Sequence, residues 1–239
     1  MMRLLLTRPL HEAERTAAAL CAMGHEAVIA PVLTIETIPD AVIGQGPYAG
    51  VLVTSGNAVR AFAMHPRHGS FLGLDCFAVG AQTATAAGQA GFTKLHVAGG
   101  DGGDLVRLIA ERVTDRTGRL LYLAGDDRAR DMAAELAPHG IRIDLAVVYR
   151  ANAARAFPPE IAAALKAGTI DGVMHYSRRS TAIFIDCVKA AGAEAAAARL
   201  THFCLSARAA EPLATINAKS ILVAQNRNES AMMAMVSAS

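Results

Sequence analysis

Short apolar runs alternate along this chain with segments whose apolar residues recur every three or four positions. Arg3 to Leu6 reads as a strand, and Glu12 to Met23 has helical spacing that stops at Gly24. Glu26 to Ala30 reads as a second strand, and Pro31 to Pro39 as an extended segment bounded by prolines. One pattern then occurs twice. Gly50-Val-Leu-Val-Thr-Ser55 leads into a helical segment reaching Phe62, and Gly172-Val-Met-His-Tyr-Ser177 leads into one reaching Phe184. The echo continues in Cys76-Phe-Ala-Val-Gly80-Ala-Gln-Thr-Ala84 and His202-Phe-Cys-Leu-Ser206-Ala-Arg-Ala-Ala210, and then in strands ending at Val97-Ala98 and Val223-Ala224. A repeat this long exceeds a solenoid unit and implies two similar domains.

Between the copies the same alternation predicts a strand from Arg119 to Ala124 and a helix from about Arg128 to Ala137. A strand over Ile141 to Tyr149 follows, and then a helix opened by Pro158-Pro159. Alternating strand and helix is the pattern of βαβ units and parallel sheets. The strand–helix–strand over 3–30 precedes the first copy as that over 119–148 precedes the second, giving each domain about five strands. Two chain paths fit. A tandem would divide near residue 115. Alternatively, the chain leaves the first domain after two strands, builds all of the second, and returns.

Composition adds boundaries. The chain has 239 residues, 53% of them hydrophobic, enough for a core even when divided in two. Its formal net charge is +2, and no basic run interleaved with aromatics points to a nucleic-acid groove. No apolar run approaches the roughly 20 residues that span a bilayer. The first residues are too short an apolar stretch for a secretory signal. Cys21, Cys76, Cys187 and Cys204 lie far apart without a C-x-x-C pair, so buried free thiols in a cytoplasmic protein are expected.

Candidate chemistry gathers at the strand-to-helix turns. Thr54-Ser55-Gly56-Asn57 and Ser177-Arg178-Arg179-Ser180 stand where open α/β sheets face their ligands, and exposed amides at such turns bind anions. A plain helix cap is the better explanation of one such turn, and recurrence brings a ligand level with it. Gly80, Gln82 and Thr83 occupy the next turn of one copy, and Ser206 and Arg208 that of the other. Arg178 and Arg208 are each suited to meet a carboxylate, although a solvated surface is the better reading of either one alone. The run Gly99 to Gly103 lacks the ending of a phosphate loop and reads as a flexible turn, with its helix starting near Asp104. Asp126 and Asp127 read as a helix cap. His65 and His68 lack a third ligand, so no metal site is expected. No nucleophile–base set stands out. Tyr149 ends the strand before the chain would cross between domains, where a phenol can donate a proton to a ligand or simply pack.

Together these segments resemble the uroporphyrinogen-III synthase family over nearly the whole chain. The resemblance rests on Leu6-Thr7-Arg8-Pro9, Val53 to Val59, Val79 to Ala84, Gly140 followed by Val148-Tyr149, Tyr176 to Ser180, and a closing strand and helix around Val223 to Met235. It implies the leave-and-return path. Two flavodoxin-like α/β domains with parallel sheets flanked by helices, 1–34 with 151–239 and 35–150, would be joined by a two-stranded antiparallel linker. It also implies a cyclising hydro-lyase without metal or organic cofactor, expected to act as a monomer. Its substrate is hydroxymethylbilane, a linear tetrapyrrole polycarboxylate. The product is uroporphyrinogen III, formed with loss of water and inversion of the last ring.

By the same resemblance Tyr149 matches the linker tyrosine that assists departure of the hydroxyl. Thr7, Arg8, Thr54, Ser55, Gly56, Asn57, Gly80, Gln82, Thr83, Ser177, Arg178, Ser206 and Arg208 would contact substrate. The chain departs from the family at Ala209, where relatives carry a threonine, and at Tyr176, where phenylalanine or threonine is commoner. A second reading stays open: a non-catalytic cytosolic protein that closes on a small anion, which Ala209 favours and Tyr149 opposes.

Overall fold

Leu4, Leu5 and Leu6 are fully buried in an inner strand of a five-stranded sheet, and that strand shows how the chain is threaded. The structure, a computed structural model, describes residues 1–99, 101–128 and 130–238. Gly100 of the glycine run and Ala129 of the charged turn therefore lie outside the described residues.

The chain opens with β1 (Arg3–Leu6), α1 (Leu10–Ala22), β2 (Glu26–Ile29) and β3 (Leu33–Thr37). It continues with β4 (Tyr48–Val53), α2 (Gly56–Ala63), β5 (Asp75–Ala78), α3 (Ala81–Gln89), β6 (Lys94–Val97) and α4 (Gly102–Arg112). Next come β7 (Arg119–Gly125), α5 (Met132–Leu136), β8 (Arg142–Ala153) and α6 (Pro159–Lys166). The last stretch is β9 (Gly172–His175), α7 (Arg178–Ala190), α8 (Glu194–Ala197), β10 (Thr201–Cys204), α9 (Ala207–Ala210), β11 (Ser220–Val223) and α10 (Glu229–Ser237).

The fold divides into two compact units, Met1–Thr34 with Asn152–Ser239, and Ile35–Ala151. In the first, the parallel sheet runs β11-β10-β9-β1-β2, so β1 lies between β2 and β9 and not beside β4. In the second, the order is β3-β8-β7-β4-β5-β6. Taking β7 and β8 as its first two strands, this sheet has the same 2-1-3-4-5 order as the other, with β3 added beside β8. The amide of Ile38 donates to Val148 and that of Ala154 to Val32, so the partners fall as the chain rises and β3 runs antiparallel to β8.

The duplication reaches atomic contacts. Gly50 pairs with Asp75 and Leu120, and Gly172 with Thr201 and Leu4. A Cβ on Gly50 would meet Asp75 O at 2.8 Å, and the side chains of Leu120 and Phe77 at 3.1 Å. One on Gly172 would meet Thr201 O at 2.7 Å, and Leu4 and Phe203 at 3.1 Å. Both glycines let a phenylalanine and a leucine close over the same point of the central strand.

Helices cover both faces of each sheet. In the second unit α2 and α3 bury Val59, Phe62, Ala84 and Ala87 against Val51, Val53, Leu121 and Leu123. On its other face α4 and α5 set Leu105, Ile109, Met132 and Leu136 against Leu52, Phe77 and Leu120. In the first unit α1 and α10 pack Leu20, Met232 and Val236 on Leu4, Leu6, Met174 and Phe203.

Several local expectations are corrected. α4 begins at Gly102, inside the glycine run, because the Asp101 carboxylate caps it by accepting from the Asp104 amide. The helix read over 128–137 shrinks to α5. Its cap is Asp131, which accepts from the Ala133 and Ala134 amides, and not Asp126 or Asp127. Asp126 instead accepts from its neighbour's amide and from that of Ala151, tying the turn to β8. After the Ser206 cap, α9 ends at Ala210 and the chain runs on as a 3-10 helix over Glu211–Ile216, with Pro212 in its first turn. Cys21 is exposed, whereas Cys76, Cys187 and Cys204 are buried free thiols as expected.

Candidate functional site

In a sheet of 2-1-3-4-5 order the crossovers change direction between the first and third strands, and ligands bind beyond the strand ends there. In the second unit that point lies between β7 and β4, and the side chains at their ends enclose a cavity of about 260 Å³. Thr54, Ser55, Tyr122, Gly125, Arg128 and Tyr149 are among its walls.

Each polar wall residue has a local reason for its place. Ser55 turns out of β4 with extended backbone and caps α2, its Oγ accepting from the Asn57 amide at 3.1 Å. The same Oγ accepts from the Tyr149 hydroxyl at 3.4 Å, which leaves the serine's own proton free to donate. Thr54 Oγ1 and the Tyr122 hydroxyl lie 3.0 Å apart. Burial pushes the Tyr122 phenol above its ordinary pKa, so it stays neutral. Arg128 donates to the carbonyls of Gly125 and Asp126 at 3.2 and 3.3 Å, which folds the turn and sets one cation at the rim.

Asn57 does not cap. Its Oδ1 accepts from Arg60 at 2.6 Å, one turn along α2. Gly56 opens that helix, where a Cβ would stand 3.2 Å from Arg60. Gly80 begins α3 with extended backbone and no side-chain cap, so the first amides of that helix are not met by a side chain at the capping position. Gln82 is exposed in its first turn, while Thr83 is buried against the sheet.

In the first unit the equivalent turns are differently furnished. Arg8 lies 3.8 Å over the Tyr176 ring and donates to Glu229 at 2.8 Å and to Thr16 at 3.0 Å. Glu229 also accepts from Thr16 at 2.7 Å and from Tyr176 at 2.9 Å. Burial first, and the Glu229 charge second, raise the Tyr176 pKa. Arg8 is thus engaged by a carboxylate of its own chain. Thr7 is almost fully buried beside it. Ser177 caps α7, accepting from the Ser180 amide at 3.1 Å. Ser206 caps α9, accepting from the Ala209 amide at 3.2 Å. Arg178 is exposed and paired with Glu211 at 2.8 Å, and Arg208 is exposed. Among the described residues no group of three or more His, Cys, Asp or Glu is placed to hold a metal ion. No helix among them is long and apolar enough to cross a membrane.

The family model described as uroporphyrinogen-III synthase HemD matches residues 14–234. The chain belongs to the uroporphyrinogen-III synthase family. Members of that family cyclise hydroxymethylbilane in tetrapyrrole biosynthesis, which makes the chain a cyclising lyase acting on a tetrapyrrole. The fold agrees. The chain is similar to the uroporphyrinogen-III synthetase of Helicobacter pylori 26695, with 16% identity, a TM-score of 0.69, and coverage of 99% of this chain and 98% of that one. It is also similar to a mutant uroporphyrinogen III synthase of the extremely thermophilic bacterium Thermus thermophilus, with 18% identity, a TM-score of 0.56, and coverage of 99% and 97%. At these identities the likeness is one of fold. No match was found among curated proteins.

The two departures from the family pattern have distinct settings. Ala209 is buried, its amide taken by the Ser206 cap. Tyr176 uses its extra hydroxyl to reach Glu229. Tyr122, Gly125, Arg128 and Glu229 escaped the reading of the sequence. Two carried a signal: a tyrosine within Leu120-Leu121-Tyr122-Leu123, and a glycine ending a buried strand, which marks a close approach.

Proposed function

We propose that the chain closes hydroxymethylbilane to uroporphyrinogen III, with Tyr149 and Ser55 beside the reacting end of the substrate. The observation that carries this reading is the Tyr149–Ser55 contact on the wall of the cavity beyond β4 and β7, in a chain of this family. Tyr149 donates toward the hydroxymethyl oxygen, which leaves as water with that proton and leaves a cationic azafulvene. The substituted carbon of the last pyrrole attacks this carbon, and the spiro intermediate reopens and closes with the ring inverted. A proton lost from the closing ring balances the one donated. Closure without guidance gives the uninverted isomer, so the main task of the protein is to hold conformation.

The substrate carboxylates meet the hydroxyl and amides of the strand-to-helix turn at Ser55, the uncapped start of α3 after Gly80, and the exposed cation Arg128. This extends to the chain's assignment as a cytoplasmic biosynthetic enzyme that works as a monomer. Incubation with hydroxymethylbilane, followed by separation of the type I and type III products, tests the reading. Type III product above a protein-free control is expected, and product of type I alone refutes it.

A further inference from the structure

We propose that Gly125 is the positioning residue for the Tyr149 phenol, a role that rests on the reading of Tyr149 above. β7 and β8 pair residue for residue from Arg119 with Arg142 to Ala124 with Val147, and then Gly125 pairs with Tyr149, passing over Val148. In a regular strand Val148 and Tyr149 would face opposite sides of the sheet. With one extra residue in β8, both pack against the cluster of Val53, Leu123 and the inner faces of α2 and α3. The irregularity thus turns the tyrosine ring over the end of β7.

The ring can lie there only because residue 125 has no side chain. A Cβ at this point would stand 2.6 Å from Tyr149 Cζ, 2.9 Å from Cε2 and 2.9 Å from the hydroxyl oxygen. Backbone conformation does not call for glycine here. Gly125 is not among the glycines of positive φ, which among the described residues are Gly24, Gly46, Gly91, Gly140, Gly168 and Gly192. The atoms in the way are those at the tip of the phenol. The Tyr149 backbone is held, its carbonyl accepting from the Asp126 amide at 3.1 Å. A side chain at 125 would therefore displace the hydroxyl before it moved the strand, and carry it away from Ser55.

The test compares Gly125→Ala, Tyr149→Phe and the double variant for kcat, KM and product isomer. Gly125→Ala should lower kcat about 10- to 100-fold, the order of loss from misplacing a catalytic group by about 1 Å, with KM changed less than about twofold. The double variant should be no slower than Tyr149→Phe alone, because no hydroxyl remains to misplace. Wild-type kcat in Gly125→Ala, or a double variant slowed by the product of the two single effects, would overturn the proposal. If Tyr149→Phe turns over normally while Gly125→Ala is slow, the glycine acts through another group, and both this proposal and the role of Tyr149 fall. If Tyr149→Phe is slow and Gly125→Ala normal, only the proposal for Gly125 falls. A folding arm covers loss of structure. Gly125→Ala should lower the melting temperature in the wild-type background but not in Tyr149→Ala, where the collision is gone. An equal drop in both, or failure to fold in both, would show that the strand itself needs the glycine.

Discussion

Tyr149→Phe removes one oxygen and keeps the ring. Among the described residues its hydroxyl makes one hydrogen bond, to Ser55 Oγ at 3.4 Å, longer than the roughly 2.5–3.0 Å of a good O–H···O bond. An ordinary hydrogen bond contributes about 0.5–1.5 kcal/mol, so this one should cost less than about 0.5 kcal/mol of stability when lost. The ring packs on the Val53–Leu123 cluster as before, and the Ser55 cap keeps its bond to the Asn57 amide. Folding should survive. The effect on rate should be larger. A positioned acid contributes about 10²–10⁴-fold, and phenols are weak acids near neutral pH, which places the loss near 10², or about 2.7 kcal/mol of barrier. The assay is steady-state turnover of hydroxymethylbilane, with isomers separated after oxidation. Residual product should remain type III, because inversion depends on how the rings are held. Wild-type turnover would show the hydroxyl to be idle, and slow turnover to type I would show that it steers the last ring.

Further outcomes follow from the same geometry. Gly172→Ala and Gly50→Ala should each destabilise their own unit by about 1–3 kcal/mol, the cost of overpacking, since each Cβ meets a carbonyl oxygen within 2.8 Å; thermal melts check this, and unchanged melting would refute it. A thiol reagent should modify Cys21 rapidly in the native protein and the other three only in denaturant, because burial raises Cys76 and Cys204 to about 12. His175 and His202 form a buried pair, Nε2 to Nδ1 at 3.0 Å, and burial depresses both pKa values below their unfolded value of about 6.5. The unfolded chain then binds more protons, so stability should fall as pH drops below about 6.5. Denaturant melts at about pH 7.5 and pH 5 should show this, with a flatter slope in His175→Leu.

The duplicated frame was legible because burial in a parallel sheet leaves a local record. Gly50 to Val53 and Gly172 to His175 are short apolar runs, each followed by a serine that caps the next helix. The permuted order of the second sheet was not legible from pattern alone, since β7 and β8 read the same whether they close one domain or open another. Boundaries failed where a side chain chooses the start. Asp101 and Asp131 each set a helix start by a hydrogen bond that no periodicity reveals. The partner of Arg8 was illegible for a different reason. Arg8 and Glu229 are 221 positions apart, and only the fold brings them together. The bulge at Val148 is equally silent, because the run Ala146-Val147-Val148-Tyr149 is apolar whichever way each residue faces.

That arginine sharpens the difference between the two copies. Strand order, register, serine caps and the two crowded glycines repeat, so the frames are equivalent at the point where a ligand would bind. At the ends of β4 and β7 this point is an open cavity walled by hydroxyls, with Arg128 at its rim. At the ends of β1 and β9 it is filled. Glu229, in the first turn of α10, receives Arg8, Tyr176 and Thr16 at distances from 2.7 to 2.9 Å. A turn suited to a carboxylate holds one that the chain itself supplies, and the C-terminal helix is docked by it. The first-unit turn therefore spends its cation on structure. The hydroxyl-rich cavity, with Tyr149 set over Gly125, belongs to the second unit.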